Sequence, residues 1–175
     1  GNLISGDYPI NDAGHLIHTA VLKPRNEINF VLHSHTRAGC AVAAMKRGLL
    51  PLSQHAMVVL NQVTYHPYAL VTDEAQECDL IAQDLGDKYL QLMQNHGLLA
   101  CGRTAAEAFW LHYYLEMACK IQVDILASGE ETVLPADTAI EAINKEVDIE
   151  QRRHGDEGWP ALIRLLDEKY PDYKH

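Results

Sequence analysis

Three histidines carry the most specific chemical signal in this chain. His33 and His35 close the stretch Ile28-Asn29-Phe30-Val31-Leu32-His33-Ser34-His35, an apolar run of strand-like composition. Side chains alternate faces along a strand with a period of two, so both imidazoles project from the same side. Two imidazoles on one face are half of a metal site. His96, in Gln94-Asn95-His96-Gly97, is the residue best placed to complete it. Gly97 suggests a tight turn between apolar runs at 89–93 and 98–101, and a hairpin tip can aim a side chain into a site formed elsewhere. A lone H-x-H reads equally well as structural or solvated strand residues; the third histidine in its own turn favours a ligand set. Neutral imidazoles suit a divalent metal, zinc first, with iron, manganese, cobalt or nickel as alternatives. Three protein ligands leave one coordination position open, as catalytic sites do. A Lewis acid there would bind a hydroxy-carbonyl compound and hold the enediolate formed when a C–C bond breaks or a proton leaves.

That chemistry needs a proton-transfer group within reach. His15 is the nearest candidate by position, as base or fourth ligand, against the plainer reading of a solvent-facing helix residue. Tyr113 is a second candidate, its hydroxyl offered to a neighbouring subunit, against simple packing. Asn95, beside His96, is assigned to substrate binding. His18 and His112 read as structural helix residues, His66 and Tyr65 as strand residues before Pro67, and Arg103 as a loop anchor.

These side chains need elements to hold them. A helix is expected from Ala13 to Leu22, capped by Asn11 or Asp12 and broken at Lys23-Pro24. The strand ending at His33–His35 follows, then Thr36 caps a small-residue helix from Ala38 to Arg47, stopped by Gly48 and Pro51. Apolar runs at Met57–Leu60 and Val63–Leu70 read as strands, or as a strand and a short turn. A helix from Glu74 to Asp84, started by Thr72-Asp73 and closed by Gly86, precedes the hairpin. Thr104-Ala105-Ala106-Glu107 is a capping-box sequence opening a helix that runs to Ala127, and Ser128-Gly129 ends it. At 1.5 Å per residue that helix is about 35 Å long. From Pro135 the chain turns charged and helical, with a last amphipathic helix from Trp159 to Lys169. Residues 1–134 are thus read as the metal-binding domain and 135–175 as a helical tail, packed on that domain or on a neighbouring subunit. Strands alternating with helices favour a layered α/β domain.

Composition narrows the function classes. The 175 residues make one ordinary domain with a full core, and the net charge of -10 argues against nucleic acid, whose phosphates need a cationic footprint. No apolar run is long enough to span a membrane. The four cysteines form no C-x-x-C pair and sit in apolar or helical settings, which fits a reducing, cytoplasmic compartment. The first residues, Gly1-Asn2-Leu3, carry neither an initiator Met nor a leader pattern, so the domain is read as N-terminally incomplete.

From Tyr8-Pro9-Ile10-Asn11 through Gly129 the chain resembles the class II aldolase/adducin domain family. The motifs that carry the resemblance are His33-Ser34-His35, Asn95-His96-Gly97, Gly102-Arg103-Thr104 with Glu107-Ala108, and Tyr114-Leu115-Glu116 with Ala118-Cys119. The resemblance implies a three-layer α/β/α sandwich with a mostly antiparallel central sheet. It also implies a metal, usually zinc, on three histidines, and tetramers with active sites between subunits. It places His55, which follows Pro51-Leu52-Ser53-Gln54, near the metal as a pocket residue. Family aldolases carry a catalytic glutamate at the position that falls on Gly14 here. The serine pair before it, which holds the substrate phosphate, is replaced by Asn11-Asp12-Ala13, and the family's more N-terminal phosphate-binding segment has no counterpart.

Two function classes follow. One is a metal-dependent lyase of the aldolase type, or an epimerase, dehydratase or oxygenase on the same fold, acting on a small hydroxy-carbonyl compound. The other is a non-catalytic, adducin-like interaction module. Adducin-type domains resemble the fold without the histidine ligands, and all three histidines are present here, which favours the enzyme.

Overall fold

The computed structural model describes residues 4–7, 9–68 and 74–174. Asn11 opens the first helix, α1 (Asp12–Leu22), its side chain accepting from the Gly14 N–H at 3.0 Å. Strand β1 (Phe30–Ser34) follows, and Thr36 caps α2 (Arg37–Ala43) through the Gly39 N–H. This helix is shorter than the expected 38–47.

The next segment departs from expectation. Met57–Val59 is helical, inside α3 (Gln54–Val59), where a strand was one reading of that run. A four-residue apolar run has no period long enough to tell helix from strand. What settles it is the Ser53 hydroxyl, which caps the Ala56 N–H at 3.1 Å, and the burial of Ala56, Val58 and Val59 against the long helix. Strand β2 is Val63–His66; the remainder of the expected run and the Thr72-Asp73 helix start extend outside the described residues. Helix α4 (Glu74–Leu85) ends at Gly86, whose φ of +58° is the left-handed conformation glycine adopts readily.

Strands β3 (Leu90–Met93) and β4 (Gly97–Gly102) form the expected hairpin, and every residue in both is buried. The long helix α5 (Ala105–Ala127) is capped by Thr104, whose hydroxyl accepts from the Glu107 N–H at 3.1 Å. The reciprocal half of the expected box differs: the Glu107 carboxylate accepts from the Arg103 N–H and from its guanidinium. Helices α6 (Asp137–Val147) and α7 (Trp159–Lys169) complete the chain.

The sheet runs β1-β4-β3-β2. β1 with β4 and β4 with β3 are antiparallel, while β2 with β3 is parallel, so the sheet is mixed with an antiparallel majority. Helices α1 and α4 cover one face and α2 and α5 the other, with α3 packed on α5. Both central strands read as near-continuous apolar runs because helices bury both of their faces. The C-terminal segment lies on this body: Ile149 is buried, and Arg103 donates to the carbonyls of Ile149, Glu150 and Arg152.

Candidate metal centre and cavity

Register brings the three histidines together. His33 pairs with Leu99 across the β1–β4 ladder, and His96 sits in the turn that feeds β4. The turn is made by Asn95, which takes a φ of +56°, a region asparagine tolerates better than most residues. Gly97 has a different role. A Cβ there would lie 2.3 Å from the Ser34 carbonyl oxygen and 3.0 Å from His35 Cδ2, so only glycine lets the turn close against the H-x-H segment.

The ring centroids of His33, His35 and His96 are 4.7–4.8 Å apart in every pair. One ligand atom from each lies within 4.8 Å of the others, and the His33 and His35 Nε2 atoms are 2.8 Å apart. His33 Nδ1 lies 3.0 Å from the Leu98 carbonyl oxygen, a contact that requires the proton on Nδ1 and leaves Nε2 bare toward the cluster. This backbone contact fixes tautomer and ring orientation in the manner of metal-bound histidines. Burial, then the neighbouring His96, pushes the His33 pKa down to about 4. Burial followed by His35 and His66 also lowers that of His96. Both rings are therefore neutral at pH 7, the form that binds metal. The donor set, its convergence and its anchored tautomer fit a divalent metal.

Strand alternation sends Ser34 the other way, toward α5, where its hydroxyl lies 2.7 Å from His112 Nε2. Two residues on, Thr36 donates to the buried Glu116 carboxylate at 2.5 Å. The strand end that carries the cluster is thus tied to the long helix from behind.

An open cavity of about 640 Å³ lies against His35 and His96. Asp12, Ala13, Leu16 and Ile17 of α1 form one wall, and His66 at the end of β2 lines it together with Pro67 and Tyr68. Glu77 of α4 faces in, and Asn95 lines the rim. Asn95, the residue assigned to substrate binding, is exposed at that rim. The other sequence candidates do not reach this cavity within the chain. His15 is exposed on another face of α1, its Nε2 3.5 Å from the Thr19 hydroxyl. The cavity-lining residues at 12, 13, 16 and 17 follow the helical repeat, and 15 falls off it. Tyr113 lies on α5, across the sheet, in a second cavity of about 650 Å³ shared with Trp110 and Trp159. His55, on α3, packs its ring 5.2 Å from that of Tyr114, on the α5 side of the sheet. A Cβ at Gly14 would meet nothing nearer than the Asn11 side chain at 3.7 Å. Sequence reasoning passed over Asp12, Glu77, Tyr68 and His66, which the fold gathers from three separate segments.

A family model described as the class II aldolase and adducin N-terminal domain matches residues 1–123. A Caulobacter vibrioides protein, provisionally named an aldolase class 2 protein, is 41% identical over 175 residues, covering 99% of this chain and 68% of its own. Rat alpha-adducin is 42% identical over 121 residues, 69% of this chain but 16% of that one. Among solved structures, the L-fuculose 1-phosphate aldolase of Glaciozyma antarctica superposes with a TM-score of 0.77 at 26% identity, covering 97% of this chain and 67% of that one. The chain belongs to the class II aldolase and adducin N-terminal domain family.

Proposed function

We propose that this chain is a metal-dependent lyase of the class II aldolase type, acting on a small hydroxy-carbonyl compound. Residues 1–134 carry the site and 135–175 form the tail. The observation that carries the reading is the convergence of His33, His35 and His96 beside a cavity wide enough for a small substrate. These three residues would hold zinc, or another divalent metal of similar ligand preference. When bound, the metal supplies Lewis acidity to a carbonyl or hydroxyl oxygen. The chain's own groups do the rest: Asn95 offers its amide at the rim, the α1 wall bounds the substrate space, and the charged groups of the cavity move protons.

Gly14 and Asp12 argue against the usual sugar phosphates, because no carboxylate stands at the glutamate position and an acid faces into the cavity. A smaller or non-phosphorylated substrate follows. The exposed Tyr113 and His15 are available to a neighbouring copy, and a homotetramer is the proposed assembly. Phe30 and Leu32 on the edge strand β1, and Phe109 and Tyr113 on α5, supply exposed apolar surface for it. Four thiols outside any disulfide support a reducing, cytoplasmic setting, and no helix among the described residues is long and apolar enough to cross a membrane.

Metal analysis of the purified protein and its single alanine variants tests the centre. One equivalent of metal in the wild type and a sharp loss in His33→Ala, His35→Ala and His96→Ala are expected; full occupancy in His96→Ala would overturn it. The similarity to alpha-adducin supports a second reading, a non-catalytic module. Turnover of any hydroxy-carbonyl compound that disappears on chelation and returns with zinc separates the two. Sedimentation showing only a monomer at micromolar concentration would refute the tetramer.

A further inference from the structure

Helix α4 serves the cavity twice. Glu77 faces it directly, while Asp84, two turns on, acts through a neighbour. Its Oδ2 lies 2.8 Å from Nδ1 of His66, the last residue of β2. His66 is 5% exposed and lines the cavity that holds His35 and His96. Its backbone is locked in place: it pairs with Met93 in parallel register, and its carbonyl accepts from the Gln94 N–H at 2.8 Å. The strand that places His66 is therefore stitched to the turn that presents His96. With Nδ1 committed to a carboxylate, Nε2 is left without a hydrogen-bond partner among the described residues. A histidine buried only for packing has no need of a place on a cavity wall. A carboxylate that orients an imidazole and balances its charge is the arrangement that makes histidine a proton carrier.

We infer that His66, oriented by Asp84, is the residue that moves the substrate proton, in place of the carboxylate missing at Gly14. The inference rests on the lyase reading above. In the step assigned to it, a C–H bond next to the substrate carbonyl breaks and its proton passes to His66 Nε2. The bonding pair moves toward the carbonyl, whose oxygen takes the negative charge of the enediolate. Asp84 compensates the imidazolium, and return of a proton to carbon restores neutral His66. No oxidant or further reactant is consumed. Catalysis at His66 requires nothing from His15 or Tyr113, which the fold leaves elsewhere.

The probe is dihydroxyacetone in heavy water, with loss of its C–H signal followed by proton NMR on the zinc-reconstituted full chain. The wild type should exchange faster than buffer. His66→Gln should lose about 10²- to 10⁴-fold in exchange while retaining zinc and its melting temperature. Asp84→Asn should lose about tenfold or more, and added imidazole should restore exchange to His66→Gly. Independently of turnover, nitrogen-15 NMR of the metal-free protein should find His66 protonated at Nδ1 and bare at Nε2, a state disturbed in Asp84→Asn. Exchange in His66→Gln within about threefold of a working wild type overturns this inference and leaves the lyase reading intact. So does a ring protonated at Nε2, or a full loss in Glu77→Gln with none in His66→Gln. A zinc-loaded wild type that exchanges nothing sinks both.

Discussion

Replacing Gly97 by alanine should damage the metal centre without touching a ligand. The added Cβ would sit 2.3 Å from the Ser34 carbonyl oxygen, where ordinary carbon–oxygen contact begins near about 3.3 Å. The turn and the H-x-H segment must therefore part by about 1 Å. The obstacle is backbone, flanked by His33 and His35, so it cannot swing aside as a flexible side chain would. Overpacking of this kind costs roughly 1–3 kcal/mol. For a chain of this length each kcal/mol shifts the melting temperature by about 2–4 °C, so a fall of about 2–12 °C is expected. Functional constellations tolerate only about 0.5 Å of displacement, and disturbance around ligands typically weakens metal affinity 10–100-fold. Gly14→Ala is the matched control: its nearest neighbour is 3.7 Å away, and the change should be neutral or stabilise by up to about 1 kcal/mol. Thermal unfolding in chelator, and zinc affinity by competition with a chromophoric chelator, read both effects. Gly97→Ala protein that melts and binds zinc like the wild type would refute the reasoning.

In the metal-free protein, stability should fall as pH drops below about 6.5. His33 holds its pKa near 4 in the folded state against about 6.5 when unfolded, so the unfolded chain takes up the proton first across that window. His96 and His112, lowered chiefly by burial, act in the same direction. Urea midpoints that stay flat from about pH 7.5 to 5 in chelator would contradict this. Arg103→Met strands Glu107, whose side chain is 1% exposed, and removes three carbonyl contacts to the tail. A loss of about 3–5 kcal/mol is expected, largely recovered by the Arg103→Met/Glu107→Leu pair. Equal melting of the single variant and wild type would show that the pair does little.

The sequence alone determined what depends on short range. Strand alternation put His33 and His35 on one face, Asn11, Thr36 and Thr104 announced three helix starts, and the paired apolar runs around Asn95–Gly97 announced the hairpin. These signals are legible because caps and turns act through atoms within a few residues of each other. At Met57–Val59 the local signal was too short, and packing on α5 decided for helix. The tertiary structure alone decided who shares the cavity. His15 is close to Gly14 in sequence yet falls off the face of α1 that lines the site, while His66, Asp84 and Glu77 arrive from another strand and helix. His66 and Asp84 lie 18 residues apart and meet only because β2 runs parallel to β3 with α4 crossing between them. A hydrogen bond made through a crossover leaves no period or spacing in the chain, so only the assembled sheet could bring His66, bonded to Asp84, into the cavity that His35 and His96 line.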